Sequence, residues 1–243
     1  MTWLTRLKLL AGVLAVLVAV AGLTVVFNQR QSRVTSTSAS IDAKRYPVGI
    51  DYGGTVTAAH VVDGDRVQAG DELFTLQSPS LQSDLAKGLF KPETVAYTVD
   101  AEGVVTLTAA VAGTVTDVST EPGSFVQAGQ VLATIDGAGS LFVTAEYTLS
   151  ARDYGRIADG ASVDLLLPNQ RTIEGRVDTV TVETANGEAE STVVVTSDGL
   201  VDGAYNGLVT RGTPVSATLL LRDDGIFAGV KDGIDDFLKK IGI

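Results

Sequence analysis

The sequence contains no cysteine, which excludes disulfide bonds, thiolate nucleophiles, zinc–thiolate sites and a lipid-modified N-terminal cysteine. It contains a single histidine, His60, so no histidine-based catalytic or metal-binding cluster is indicated. The phosphate-binding pattern G-x-x-x-x-G-K-[ST] is absent, and pairs such as Asp63-Gly64 do not fit the calcium-loop pattern. We therefore predict a protein that is not an enzyme and that carries no cofactor or metal.

Acidic residues are missing from the beginning of the chain. Four of the 18 basic residues precede Asp42, whereas all 29 acidic residues lie from Asp42 onward. The larger part of the chain is therefore strongly acidic, which disfavours binding to nucleic acid and to anionic lipid headgroups.

The longest apolar stretch is Leu9–Phe27, which contains no charged residue. At ~1.5 Å per residue, a helix of this length measures roughly 28 Å, close to the thickness of a bilayer core. We predict a transmembrane helix over 9–27, a cytoplasmic segment over 1–8, and a single-pass protein with its soluble part outside the cytoplasmic membrane. The alternative is a signal peptide cleaved after Ala19-Val20-Ala21, although the apolar run continues beyond this site. Residues 28–44 are rich in serine and threonine and predict a stalk.

A duplication dominates the next part of the chain. Gly54–Leu76 (GTVTAAHVVDGDRVQAGDELFTL) aligns without a gap with Gly113–Ile135 (GTVTDVSTEPGSFVQAGQVLATI), and 11 of the 23 pairs are identical. One copy cannot bury its own apolar side, so the two copies are expected to clasp each other. The glycines of the repeat are expected at tight turns with positive φ, or where two backbones cross closely. These glycines are Gly54, Gly64, Gly70, Gly113, Gly123 and Gly129.

The segment between the copies, residues 77–104, predicts a short helix over 79–87 that begins with a proline. Two β-rich runs, 95–99 and 104–108, flank Asp100–Gly103 and predict a hairpin. After the second copy, short strands with turn signals over 141–222 predict a small β-barrel. Residues 223–243 have apolar residues at intervals of three and four, which predicts an amphipathic helix.

Two similar halves behind a membrane anchor resemble the lipoyl/biotinyl-type barrel-sandwich hybrid. Within that superfamily, the chain resembles the membrane fusion proteins, which are haemolysin-D-type periplasmic adaptors of export pumps. Carrier domains present a modified lysine between the halves, and here neither Lys87 nor Lys91 has the sequence context of such a lysine. The resemblance implies an all-β fold with a hybrid domain over 45–140, followed by the barrel. Because the inserted segment is short, the long coiled-coil hairpin that reaches an outer membrane is not expected here.

The resemblance further implies a non-enzymatic adaptor that binds an inner-membrane ABC-type or ion-driven exporter and self-associates. Two alternatives stay open at this point, which are an envelope scaffold without a pump and a biotinyl or lipoyl carrier domain. The candidate contact residues are apolar residues of the inserted segment and of the C-terminal helix. They are Leu81, Leu85, Leu89, Phe90, Ile226, Val230, Ile234, Phe237, Leu238 and Ile241.

Overall fold

The computed structural model describes Gly12, Val16, Val20 and residues 32–87, 97–100, 102–185 and 188–222. The strands are β1 (Arg33–Thr35), β2 (Ser38–Gly49), β3 (Gly54–Ala59), β4 (Arg66–Val67), β5 (Glu72–Gln77), β6 (Tyr97–Val99), β7 (Val104–Thr108), β8 (Gly113–Thr116), β9 (Phe125–Val126), β10 (Val131–Leu149), β11 (Ser162–Leu166), β12 (Thr172–Ala185), β13 (Glu188–Thr196) and β14 (Ser216–Leu220). Helix α1 is Pro79–Ala86 and helix α2 is Ala151–Tyr154. The fold is mostly β, as predicted.

The predicted membrane span lies almost wholly outside the described residues. Gly12, Val16 and Val20 are helical where they are described. Among the described residues, no helix has the length and apolar character needed to cross a membrane.

The chain divides into two compact units by its contacts. One unit, called the hybrid unit below, consists of Asp42–Phe142 and Leu200–Arg211. The other, called the barrel unit, contains Val143–Gly199 with the described residues before Asp42 and after Arg211. The sequence predicted two contiguous domains that meet at 140/141. The structure differs from that prediction, because 33–41 belongs to the barrel unit and 200–211 to the hybrid unit.

In the hybrid unit, each copy of the repeat lends a strand to the other. Strand β3 of the first copy pairs with β9 of the second, with Gly54 opposite Val126. Strand β8 of the second copy pairs in the same way with β4 of the first, with Gly113 opposite Val67. The two pairings are the same contact viewed from opposite copies, because Gly54 aligns with Gly113 and Val67 with Val126. The predicted clasp is therefore confirmed.

The backbone hydrogen bonds repeat the same symmetry. The amide of Gly64 donates to Val115 O at 2.9 Å, and the amide of Gly123 donates to Val56 O at 2.8 Å. Two further bonds lead from a glycine of the repeat to a residue that precedes the opposite copy, since Gly70 N donates to Ala109 O and Gly129 N donates to Ile50 O, both at 2.7 Å. Since every partner in one bond lies 59 positions from its counterpart in the other, a pseudo-dyad relates the halves.

Apolar residues from both copies form one core between the two sheets of the hybrid unit. Side chains that alternate along the strands point inward, which is the pattern expected for half-buried strands. Neither copy encloses this core alone, since its members come about equally from both. They include Val56, Val67, Leu73, Leu76, Val115, Val126, Leu132 and Ile135.

The predicted helix and hairpin of the inserted segment are both confirmed over their described parts. Ser78 caps α1 by accepting a hydrogen bond from the amide of Leu81 at 3.4 Å, and Pro79 occupies the first turn. The Ser78 hydroxyl also donates to Gly53 O at 2.8 Å, which ties the helix to the residue that directly precedes the first copy. Strands β6 and β7 pair in antiparallel register around the turn at Asp100.

The barrel unit is closed by the segment that the sequence analysis interpreted as a stalk. Strand β1 pairs with β14, and on its other side the same segment bonds to β10, where Thr37 N donates to Glu146 O at 2.8 Å. The remaining strands follow in the order β14, β11, β12, β13, β10. The stalk prediction for 28–44 is therefore wrong from Arg33 onward.

Burial explains why this segment is a strand. Ala39, Ile41 and Ala43 are buried and alternate with polar residues along β2, and Ile41 is only 1% exposed. Alternation with a period of two places one side of a strand in a core. The small size of alanine made the segment look polar overall, although every second residue from Ala39 to Ala43 carries an apolar side chain.

Candidate functional site

The structure removes one residue from the predicted contact surface. Leu81 is fully buried in the core of the hybrid unit, and Leu85 is partly buried against the same core. Leu81 therefore anchors α1 and is not available to a partner, because its position on the helix faces inward. The other predicted contact residues lie outside the described residues. They are Leu89, Phe90, Ile226, Val230, Ile234, Phe237, Leu238 and Ile241.

The repeat glycines fall into two groups. Gly64, Gly70, Gly123 and Gly129 have φ between +80° and +94°, a region that L side chains disfavour. Gly54 and Gly113 do not lie in turns, since each begins a strand. A Cβ on Gly54 would lie 2.5 Å from Gln77 O, and one on Gly113 would overlap the carbonyl oxygen of Asp136. These two glycines therefore permit close crossing of backbones.

A cavity of about 440 Å³ lies within the hybrid unit. Its floor consists of side chains that β4, β8 and β10 turn away from the core, including Thr114, Thr116 and Asp136. Segment Leu200–Arg211 lines it from the other side through residues such as Asp202 and Arg211. The cavity is open to solvent, has both polar and apolar lining, and is formed by stretches of chain that are distant in sequence.

Asp136 is the centre of a charge network beside this cavity. Its side chain is 12% exposed and lies between Arg45 Nε, 3.9 Å from Oδ1, and Arg211 Nη1, 3.6 Å from Oδ2. Arg211 Nε also donates to Asp42 Oδ1 at 3.3 Å, and Arg45 pairs with Asp117. Burial raises the pKa of Asp136, and the two arginines counteract that rise only in part. Among the described residues, its buried Oδ1 accepts no hydrogen bond.

The segment 200–211 has an unusual backbone. Tyr205 and Asn206 have φ of +54° and +61°, and they lie between Gly203 and Gly207, which also have positive φ. Val209 is fully buried and Gly203 N donates to Val209 O at 2.8 Å, so the segment is closed on itself. A left-handed conformation at Tyr205 costs roughly 1–2 kcal/mol, which these contacts offset.

Two charged side chains of the cavity stand outside the network. Arg66 and Asp202 are both exposed, and in the described part of the chain neither side chain forms an ion pair or a hydrogen bond. The guanidinium of Arg66 lies beside Gly203, since a Cβ at Gly203 would be in ordinary van der Waals contact with Arg66 Nη2, at 3.4 Å. The cavity thus presents one positive and one negative side chain that have no ion-pair partner among the described residues.

The sequence analysis missed this cavity. Nothing in the sequence signals that 200–211 packs on the hybrid unit, since it follows strands of the barrel unit. A usable signal did exist in the repeat, where Arg66 aligns with Phe125 and is one of the sharpest differences between the copies.

His60 lies on the surface, as expected for an isolated histidine. Its Nε2 is 2.9 Å from Thr75 Oγ1. Over the residues that the structure describes, no three side chains of the metal-binding types come together.

Comparison with known proteins finds one matching family model and several similar solved structures. The family model described as CusB, barrel-sandwich hybrid domain matches residues 52–136, which span both copies of the repeat. No curated protein sequence matches this chain.

Solved structures share the fold at low sequence identity. ZneB from Cupriavidus metallidurans is 19% identical, with a TM-score of 0.57, and the match covers 78% of this chain and 98% of that one. The membrane fusion protein Spr0693 from Streptococcus pneumoniae is 18% identical, with a TM-score of 0.51 and coverage of 76% and 98%. MacA from Actinobacillus actinomycetemcomitans is 14% identical, with a TM-score of 0.52 and coverage of 78% of both chains.

Proposed function

Because the chain contains the CusB-type barrel-sandwich hybrid domain and shares its fold with membrane fusion proteins, we propose that it is a non-enzymatic adaptor subunit of an export transporter. It is held in the cytoplasmic membrane by the helix predicted over 9–27, with both units on the outer face. The observation that carries this proposal is the pair of exchanged repeat halves, which the family model matches over their full length.

The short inserted segment supports an adaptor that acts at a single membrane. Helix α1 has eight residues and spans about 12 Å at ~1.5 Å per residue. A helix of that length cannot bridge a periplasm, so the partner we propose is an ABC-type or ion-driven exporter in the same membrane. Such a subunit acts through coupling free energy between binding surfaces and does not make or break bonds.

Self-association is part of the proposal. Several copies around one exporter would form a collar on its outer face. Gln82 on the exposed side of α1 and Lys87, which directly follows the helix, are exposed parts of the described insertion that are open to such contacts. Leu81 has no part in this surface, since it is buried.

The absence of cysteine makes the topology directly testable. A single cysteine introduced as Lys87→Cys, in the full-length chain, is expected to react with a membrane-impermeant maleimide in intact cells. The matched control, Thr5→Cys, lies before the predicted span and is expected to react only after lysis. Labelling of Lys87→Cys only after lysis would contradict the proposed orientation.

The partner is tested with the same single-cysteine chains. A photoactivatable maleimide on Gln82→Cys, irradiated in native membranes, is expected to yield adducts with a membrane exporter and with a second copy of this chain. The control is Asp164→Cys on β11 of the barrel unit, which should yield a different set of adducts. If purification of adducts from both sites recovers envelope proteins but no transporter, the chain is a scaffold and the adaptor proposal is wrong.

A further inference from the structure

The pseudo-dyad supplies an internal comparison for the cavity of the hybrid unit. Its floor positions Arg66, Thr114, Thr116 and Asp136 correspond to Phe125, Thr55, Thr57 and Gln77 at the equivalent place on the other half. The threonines are retained at both places. The Thr116 hydroxyl bonds to Thr134 O at 3.4 Å, as the Thr57 hydroxyl bonds to Thr75 O at 3.1 Å. The two faces therefore share a scaffold and differ in charge.

One of the two added charges has a structural explanation. Asp136 forms an ion pair with Arg211 and so holds segment 200–211 against the rest of the hybrid unit. Gln77, at the equivalent position, instead donates a hydrogen bond to Glu102 O at 2.8 Å. Arg66 has no comparable explanation. It forms no ion pair in the described part of the chain, and Phe125 serves at the equivalent backbone position. A guanidinium that the fold does not use is available to a ligand.

The second available group is Asp202, on the opposite side of the cavity. Arg66 and Asp202 both line the cavity, yet their charged atoms are not within 4.0 Å of each other, so they do not neutralise each other. The other charges at the site, Asp136 and Arg211, are occupied with one another. The cavity therefore offers a cation and an anion that are not paired with each other, and Thr114 and Thr116 line the same cavity.

We propose that this cavity binds a small zwitterion, such as an amino acid or a dipeptide, whose carboxylate contacts Arg66 and whose ammonium group contacts Asp202. A planar guanidinium suits a carboxylate, and a carboxylate such as that of Asp202 suits an ammonium group. The volume of about 440 Å³ lies within the range of small-molecule sites. This inference does not depend on the transporter partner, because the site is complete within one chain.

The test uses the full-length chain in phospholipid nanodiscs and saturation-transfer NMR of three probes. Glycylglycine carries both charges, N-acetylglycine only the carboxylate, and glycinamide only the ammonium group. We expect glycylglycine to bind more tightly than either single-charge probe. Loss of one charged hydrogen bond weakens binding about tenfold or more, so Arg66→Gln and Asp202→Asn should each weaken glycylglycine to this extent.

The pseudo-dyad provides the matched control. Phe125→Gln changes the equivalent backbone position on the other half and should leave glycylglycine binding unchanged. Binding of none of the probes would overturn the proposal. If N-acetylglycine and glycylglycine bind equally well and Asp202→Asn leaves both affinities unchanged, the proposal is overturned in favour of a simple anion site. Equal losses in Phe125→Gln and Arg66→Gln would show that the cavity is not the site. None of these results bears on whether an exporter is recovered in crosslinking.

Discussion

Gly113 is the most stringent test of the strand exchange. An alanine in a strand is normally more favourable than glycine by about 0.5–1 kcal/mol. Here the added Cβ would overlap the carbonyl oxygen of Asp136 and lie 2.7 Å from Ile135 Cγ2. Because the oxygen belongs to the backbone of the paired strand, no side-chain rotation relieves the overlap. Strand β8 must shift, and it pairs with β10 on one side and with β4 on the other.

Overpacking of this kind costs typically ~1–3 kcal/mol, and loss of pairing on two sides places Gly113→Ala towards the upper end. For a chain of this size, a loss of about 2–3 kcal/mol lowers Tm by roughly 4–12 °C. Thermal unfolding of the full-length chain, followed by circular dichroism, measures this shift. Gly54→Ala, its pseudo-dyad equivalent, should be similarly affected. Gly155→Ala should not, because Gly155 has φ of −65° and its added Cβ would meet atoms no closer than 3.6 Å. A Tm for Gly113→Ala within about 1 °C of the wild type would refute the reasoning.

Three other substitutions test separate parts of the structure. Ile41→Ala should destabilise the protein by about 2–4 kcal/mol in urea unfolding while Ser40→Ala has little effect, and equal effects would favour a solvated stalk. Leu81→Ala should cost about 2–4 kcal/mol by the same assay, and a neutral result would mean that α1 is not anchored in the core. Burial raises the pKa of Asp136 above 3.8, so its ionisation opposes folding. The free energy of unfolding of the wild type, relative to that of Asp136→Asn, should therefore be greatest below about pH 3.8 and should decline as the pH rises through the raised pKa of Asp136. Urea titrations from about pH 3.5 to 7.5 measure this difference, and an increase with pH would contradict burial as the cause.

The hybrid unit could be predicted from the sequence because a duplication carries long-range information. The gap-free alignment of Gly54–Leu76 with Gly113–Ile135 implies that the copies occupy equivalent environments. A half that exposes an apolar side then has one obvious partner. The structure agrees with this inference, since Gly54 pairs with Val126 and Gly113 pairs with Val67. Local signals were also sufficient for α1, where Ser78 and Pro79 mark the beginning of the helix.

The barrel closure and the cavity could not be predicted in the same way. Each depends on a contact between segments that are far apart in sequence and that share no repeat. Ser38–Ala43 alternates polar and apolar residues, and this pattern is weak because it is short and two of its three apolar residues are alanine, which supplies little hydrophobic signal. Arg211 reaches Asp42 and Asp136 only because Leu200–Arg211 leaves the strands that flank it in sequence. No local propensity encodes that path, and the left-handed residues within it have no distinctive sequence pattern beyond the flanking glycines.

The exchange of strands also explains how a small binding cavity and an adaptor role can be properties of one module. Arg66 belongs to the first copy and Thr114 to the second copy, Asp136 directly follows the second copy, and Asp202 belongs to segment 200–211. A ligand that contacts both Arg66 and Asp202 stabilises an arrangement to which both copies contribute. At a free ligand concentration of a hundred times its Kd, binding adds about 2.7 kcal/mol to the stability of that arrangement. Each half is completed by a strand of the other, so ligand binding stabilises both halves together. It must stabilise the same rigid unit that carries α1 and the exposed surface proposed to contact the exporter.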